Sequence, residues 1–328
     1  MTFFSRAGQV LVTLYVVSVM TLPAAMAQSP AAGTPARTPE GRPDLQGIWI
    51  NPTITPFERP ANQAGKPYLT VEEAAALEKR TLERRAEADR KPAPGDVGSY
   101  NDFWFDQGTK VVGTRQTSLV VDPPDGRVPL RPAAERRRDE NERRGAESYE
   151  FMSVWDRCIT RGIPGAMFPA GYNNAYQIIQ TPGYVVIVHE MIHDARIIPV
   201  DGSPHPPRHV TLWEGDARGR WDGNTLVVDT TNFNGRGWIA TNAASGRIKG
   251  VMQTEALHVV ERFTRMDADT IKYEVTIEDP TMYSRPWTVA MPLTRDPAYQ
   301  MFEYACHEGN HVVENVLKGA RALENAGK

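Results

Sequence analysis

The run RWDGNTLVVDTT, residues 220–231, reads as a β-hairpin, with Asp222-Gly223-Asn224 turning between two stretches of strand-forming residues. Working outward from it, 257–266, 270–278 and 287–292 continue the strand pattern, and 301–306 is expected as the last strand. Upstream, 175–180 reads as a short strand, Pro182-Gly183 as a turn, and 184–200 as one long strand that bends or bulges. Sequential antiparallel strands with short polar turns predict a mainly β fold. The expected architecture is an antiparallel meander forming an open, lipocalin-like barrel or a strongly curved sheet.

The N-terminal half adds one or two helices. Residues 44–50 alternate after a turn, and Gly47-x-Trp49 stands where the first strand of lipocalin-like barrels carries it. Thr70 and Glu73 form a capping box for a helix over about 70–89, which Lys91-Pro92-Ala93-Pro94-Gly95 stops. Residues 117–121 form a strand ending in the turn Pro123-Pro124-Asp125-Gly126. A charged helix follows over about 133–147, where Arg136, Arg137 and Arg138 meet Asp139, Glu140 and Glu142 on a solvated face. The chain thus divides into a signal peptide (1–27), a disordered linker (28–40), an N-terminal part (41–150) and a β-rich part (151–320). The last two are read as one domain.

Export follows from the first residues: Arg6, an apolar 10–19, and Ala25-Met26-Ala27 at a small-x-small cleavage site. The apolar run is short and broken by Pro23, so no transmembrane anchor is expected after cleavage, and the localisation is periplasmic or secreted. An oxidising compartment favours a disulfide between the two cysteines, Cys158 and Cys306. Closing so long a loop restricts the unfolded chain by about 5 kcal/mol in the loop-entropy picture. The competing reading makes Cys306, beside His307, a thiolate nucleophile or metal ligand. At 41 % hydrophobic the chain has material for a core, and a net charge of −3 disfavours nucleic acid as a partner. It has no Gly-x-Ser-x-Gly, phosphate loop or dinucleotide fingerprint, so no nucleotide cofactor is expected.

The chemistry points to histidine. All seven imidazoles lie from residue 189 onward, and six fall in four-residue pairs: His189/His193, His205/His209 and His307/His311, with His258 alone. On a strand, His189 and His193 would share a face about 13 Å apart, beyond one metal's reach. On a helix they would be about 6 Å apart, as in the zincins, but Val185, Val186, Ile187, Val188, Ile197 and Ile198 disfavour a helix. The strand reading lets His189 or His193 meet His258 or His307 across a barrel.

The motifs GRPDLQGIW, TSLVVDPPDGR, WEGDARGRWDGNTLVVDTTNF and ALHVVERF, in that order, resemble those of a family of secreted bacterial proteins with no established activity. The resemblance covers roughly residues 41–320. It implies export and a single fold, and assigns no catalytic residue.

Two functions are carried forward. In the first, a histidine-rich pocket performs acid–base or metal-assisted hydrolysis or elimination on a small molecule, a sugar derivative or plant-type aromatic. Its catalytic candidates are His193, His258, His307, Glu190, Asp194 and Arg196. One divalent ion (zinc, copper, manganese or calcium) would draw its ligands from among His189, His193, His307 and His311. Substrate would meet His205, His209, Arg157, Trp104 and Tyr100. In the second, a lipocalin-like protein binds a small molecule without catalysis, with Trp49, Trp104, Trp213, Trp221 and Trp238 lining its pocket.

Overall fold

A computed structural model describes residues 36–88 and 108–327, so the segment read as a signal peptide, most of the stretch read as a linker, Tyr100 and Trp104 lie outside the described residues. Ten strands alternate with loops: β1 (Gly47–Ile50), β2 (Val120–Asp122), β3 (Tyr176–Thr181), β4 (Tyr184–His189), β5 (Ala195–Pro199), β6 (Asp216–Asp222), β7 (Thr225–Thr231), β8 (His258–Arg265), β9 (Thr270–Glu278) and β10 (Trp287–Arg295). They form one antiparallel sheet in the order β5-β4-β3-β1-β10-β9-β8-β7-β6, with β2 added on β10. The sheet curls into a nearly closed barrel. At the seam, β6 approaches β5 where Gly219 has no side chain: a Cβ there would sit 2.7 Å from Val200 Cγ1 and 3.0 Å from Ile198 Cγ2.

Strand alternation fills the interior. Val259, Phe263, Ile271, Tyr273, Val275, Ile277, Trp287, Val289 and Leu293 from β8, β9 and β10 are all fully buried, while their neighbours in sequence face out. Each such aliphatic or phenyl group contributes roughly 1.5–3 kcal/mol through removal from water. The inward row of β8 also carries Glu261. It receives Arg196 of β5 through Nη1 at 3.1 Å and Nη2 at 2.5 Å, and the Tyr273 hydroxyl at 2.9 Å. The middle of the barrel is therefore a satisfied ion pair between apolar layers.

The N-terminal part is woven into this sheet. β1 lies between β3 and β10, with Trp49 opposite both Tyr176 and Arg295. The capping box forms as read: Thr70 N–H donates to Glu73 Oε2 at 2.9 Å, and Glu73 N–H to Thr70 Oγ1 at 3.2 Å, opening α1 (Val71–Ala88). The charged helix is α2 (Pro132–Arg144). Arg247 clamps it to the loop before α1 by pairing with Glu135 and Glu58.

Two elements differ from the sequence reading. Residues 184–200 are not one strand but the β4–β5 hairpin, reversed at Ile192 and His193, whose φ angles are 66° and 51°. A β-branched residue in the left-handed region is costly, so nothing in the letters announces the turn. Residues 301–306 are irregular, and the chain closes instead with α3 (Val312–Ala326). That segment is fixed from outside: Tyr299 and the backbone N–H of Phe302 both donate to Glu190, and Cys306 is bonded to Cys158 with Cα atoms 5.6 Å apart. Iodoacetamide is accordingly expected to leave the native protein unmodified, and two alkylated thiols in its intact mass would contradict the bridge.

Candidate functional site

The site is built on the outer face of the barrel where β6, β7 and β8 adjoin. On β7 the buried Leu226, Val228 and Thr230 alternate with Asp229, so the carboxylate of Asp229 points out. On β8 the inward Val259 places His258 outward, and the register Asp229↔Val260 makes His258 its diagonal neighbour. β6 contributes Asp216, opposite Thr231. The Pro-rich loop after β5 lays His205 across these strands.

A chain of hydrogen bonds results. Asp229 Oδ2 meets His258 Nε2 at 3.0 Å and Oδ1 meets His205 Nε2 at 3.1 Å, while His205 Nδ1 reaches Asp216 Oδ2 at 2.6 Å. Arg218 fixes Asp216 with two bonds of 2.8 and 2.9 Å. His258 Nδ1 is 3.9 Å from Glu278 Oε2, outside hydrogen-bond range. Both histidines line a cleft of about 620 Å³ with Arg208, Thr211, Phe233 and Glu255. The hydrogen bond to His258, reinforced by its charge, holds the Asp229 carboxyl below the usual range, and the same bond raises the His258 imidazole above its own. A half-buried imidazole that lines a cleft and is held by a carboxylate on one nitrogen is equipped to move protons.

The other expected residues are dispersed. His189-Glu190-Met191-Ile192-His193 carries the letters of the zincin HExxH motif, but the turn after β4 separates its ends. His189 faces the barrel interior edge-on to Tyr176, with neither ring nitrogen hydrogen-bonded. Burial, with Arg196 and Arg161 nearby, lowers it to about 3, so it stays neutral. His193 is exposed, its Nδ1 3.0 Å from the Tyr304 carbonyl. Glu190 is spent on Tyr299 and Phe302, and Arg196 on Glu261, which leaves neither for a substrate. Arg157 is half-buried near Tyr149 and Asp156. His209, His307 and His311 are exposed, and His311 Nδ1 lies 3.7 Å from Glu314. His258 does not meet His189 or His307, because it points away from the barrel interior. Among the described residues no group of three or more His, Cys, Asp or Glu is arranged to hold a metal ion.

The tryptophans do not form one pocket either. Trp49 is fully buried in the barrel, where Arg265 stacks on it at 4.7 Å; Trp238 is buried elsewhere, and Trp213 and Trp221 are only partly covered. The interior is filled by side chains, unlike a lipocalin's open lumen.

Asp194 is perturbed as well. Thr160 links it to Glu214, donating to Glu214 Oε1 at 2.7 Å, and burial together with the Glu214 charge raises Asp194 to about 7. A carboxyl whose folded value exceeds its unfolded one binds extra protons when folded. Its favourable contribution is complete below the unfolded value of 3.8 and is lost as pH rises through about 7. Asp194→Asn should therefore melt a few degrees higher than the wild type near pH ~8 and at nearly the same temperature near pH ~4. A difference independent of pH would contradict this.

The fold and site together define a nearly closed antiparallel β-barrel with a surface His–Asp–His cleft. No protein-family model, curated protein or solved structure matches the chain.

Proposed function

We propose that the chain is an exported enzyme performing acid–base chemistry on a small molecule in the His205–His258 cleft. The observation that carries this is the carboxylate of Asp229, held between the two imidazoles at 3.0 and 3.1 Å. Asp229 accepts from Nε2–H of His258, which fixes the tautomer and leaves Nδ1 to act as the base, the arrangement that orients a catalytic histidine. Arg208 offers a positive charge to a carboxylate or developing enolate at the cleft mouth. Both ring nitrogens of His205 are taken up by carboxylates, so it holds the geometry while His258 exchanges the proton. The metal-free form of the reaction is preferred because carboxylates already engage three of these four ring nitrogens.

The reaction class that fits is hydrolysis or elimination on a sugar derivative or plant-type aromatic. Export is supported by the N-terminal segment and by the disulfide; no helix of the described residues is long and apolar enough to cross a membrane. The test is turnover of a panel of p-nitrophenyl esters and of uronate esters prone to elimination. His258→Ala should lower kcat on any substrate the wild type accepts by about 10²–10⁴-fold. Turnover that survives this substitution unchanged would remove the cleft from the chemistry.

A further inference from the structure

A second cleft, of about 910 Å³, lies between α1 and one end of the barrel and shares no lining residue with the histidine cleft. The charged residues of its wall are all basic, among them Arg80 and Arg84 of α1, Arg161 and Lys249, and no Asp or Glu lines it. Of these, Lys249 has a carboxylate 3.7 Å away, on Glu142. Arg161 is different. Only 5 % exposed, it pairs with no carboxylate among the described residues, and its Nε has no hydrogen-bond partner. Its electrostatic neighbours are the neutral hydroxyls of Tyr172, Tyr176 and Tyr304, and the ring of Trp155 lies 5.9 Å from its guanidinium carbon.

A buried cation without a counter-charge is costly, and satisfied interiors do not retain one without reason. A second unmet donor stands in the same wall. Asn242 commits its Oδ1 to the backbone N–H of Ser245, which fixes the orientation of the amide and leaves Nδ2 without a partner. Two unmet donors, a surplus of positive charge and no acid are what a site for an anion requires.

The rest of the lining limits which anion. Trp155 and Tyr172 meet edge to face at 6.3 Å, and Ile54, Pro56 and Pro169 continue an apolar surface beside them. A fully hydrated inorganic ion would gain nothing from these groups. One buried guanidinium fork matches a single carboxylate. We propose that this cleft binds an aromatic carboxylate, its charged end on Arg161 and Asn242 and its ring against Trp155 and Tyr172.

The experiment is calorimetric titration of the full chain with benzoate, with benzamide as the neutral isostere and with inorganic phosphate. Benzoate is expected to bind saturably, more tightly than either of the others. Arg161→Gln should weaken benzoate about tenfold or more, the share expected of one charged hydrogen-bonding partner. Because that change is in the interior, the double variant Arg80→Glu/Arg84→Glu, on the exposed face of α1, provides an independent check and should weaken benzoate severalfold with an unchanged melting temperature. The proposal is overturned if benzoate does not bind saturably, if benzamide or phosphate binds as tightly, or if the folded variants bind benzoate like the wild type. None of these outcomes bears on the histidine cleft, whose test is turnover.

Discussion

Glu261→Gln is expected to lower the unfolding free energy by about 3–5 kcal/mol, read as a shift of the urea midpoint at constant slope. The substitution changes neither volume nor shape, so packing is not what it tests. It removes the charge that Arg196 answers with two bonds, with side-chain exposures of 3 % for Arg196 and 0 % for Glu261. The guanidinium would be left in the barrel with an amide oxygen in place of a carboxylate, and the Tyr273 hydroxyl would lose a charged acceptor. Glu214 acts on Arg196 only at longer range and makes no hydrogen bond to it. The double variant Arg196→Met/Glu261→Leu removes both charges, and should recover most of the loss or exceed the wild type. If Glu261→Gln stays within about 1 kcal/mol of the wild type, water or a second carboxylate serves Arg196 and the interior is not closed as described.

Asp229→Asn should lower turnover by about 10²–10⁴-fold, as His258→Ala does, although His258 itself is untouched. The amide presents one acceptor instead of two and carries no charge, so the imidazole loses the partner that fixes its tautomer. By NMR titration the His258 ring should return downward toward the ordinary imidazole value. The raised folded value of His258 contributes stability that is full below its unfolded value of 6.5 and is lost as pH rises through the folded one. For Asp229, whose folded value is depressed, the contribution is present above 3.8 and is lost as pH falls through the folded value. The pair therefore stabilises the fold most between these two limits, and Asp229→Asn should flatten the wild type's stability profile there. An unchanged His258 titration in the variant would show that Asp229 is not its partner in solution.

Most of the barrel was legible because period-two burial is written directly into β8, β9 and β10, and Gly223-Asn224 marks the β6–β7 turn. The β4–β5 reversal was not, since Ile192 takes a conformation that its own branching opposes. Residues 301–306 resemble a strand in composition, yet their backbone is held by Glu190 and by Cys158, contacts invisible along the chain. Among site residues, His205 and His258 stood out as histidines, but their partners did not. Asp229 is the lone charge in TLVVDTT, and that oddity was the available signal. Only the register that sets β7 beside β8, and the loop that returns His205 across them, joins the three. Sequence pairing of His189 with His193 failed for the complementary reason: four residues separate a buried ring from an exposed one.

The position of β1 has a consequence for how the chain matures. Its slot lies between β3 and β10, so Trp49 finds Arg295 only after nearly all of the sequence has been synthesised. Until then the growing polypeptide has no way to complete its curved sheet, and β1, even once paired with β3, waits with an unpaired flank. Such distant pairing belongs to chains that fold over milliseconds to seconds. A protein built this way keeps its sheet open until its last strand is available, so closure is the final step of folding rather than an early one.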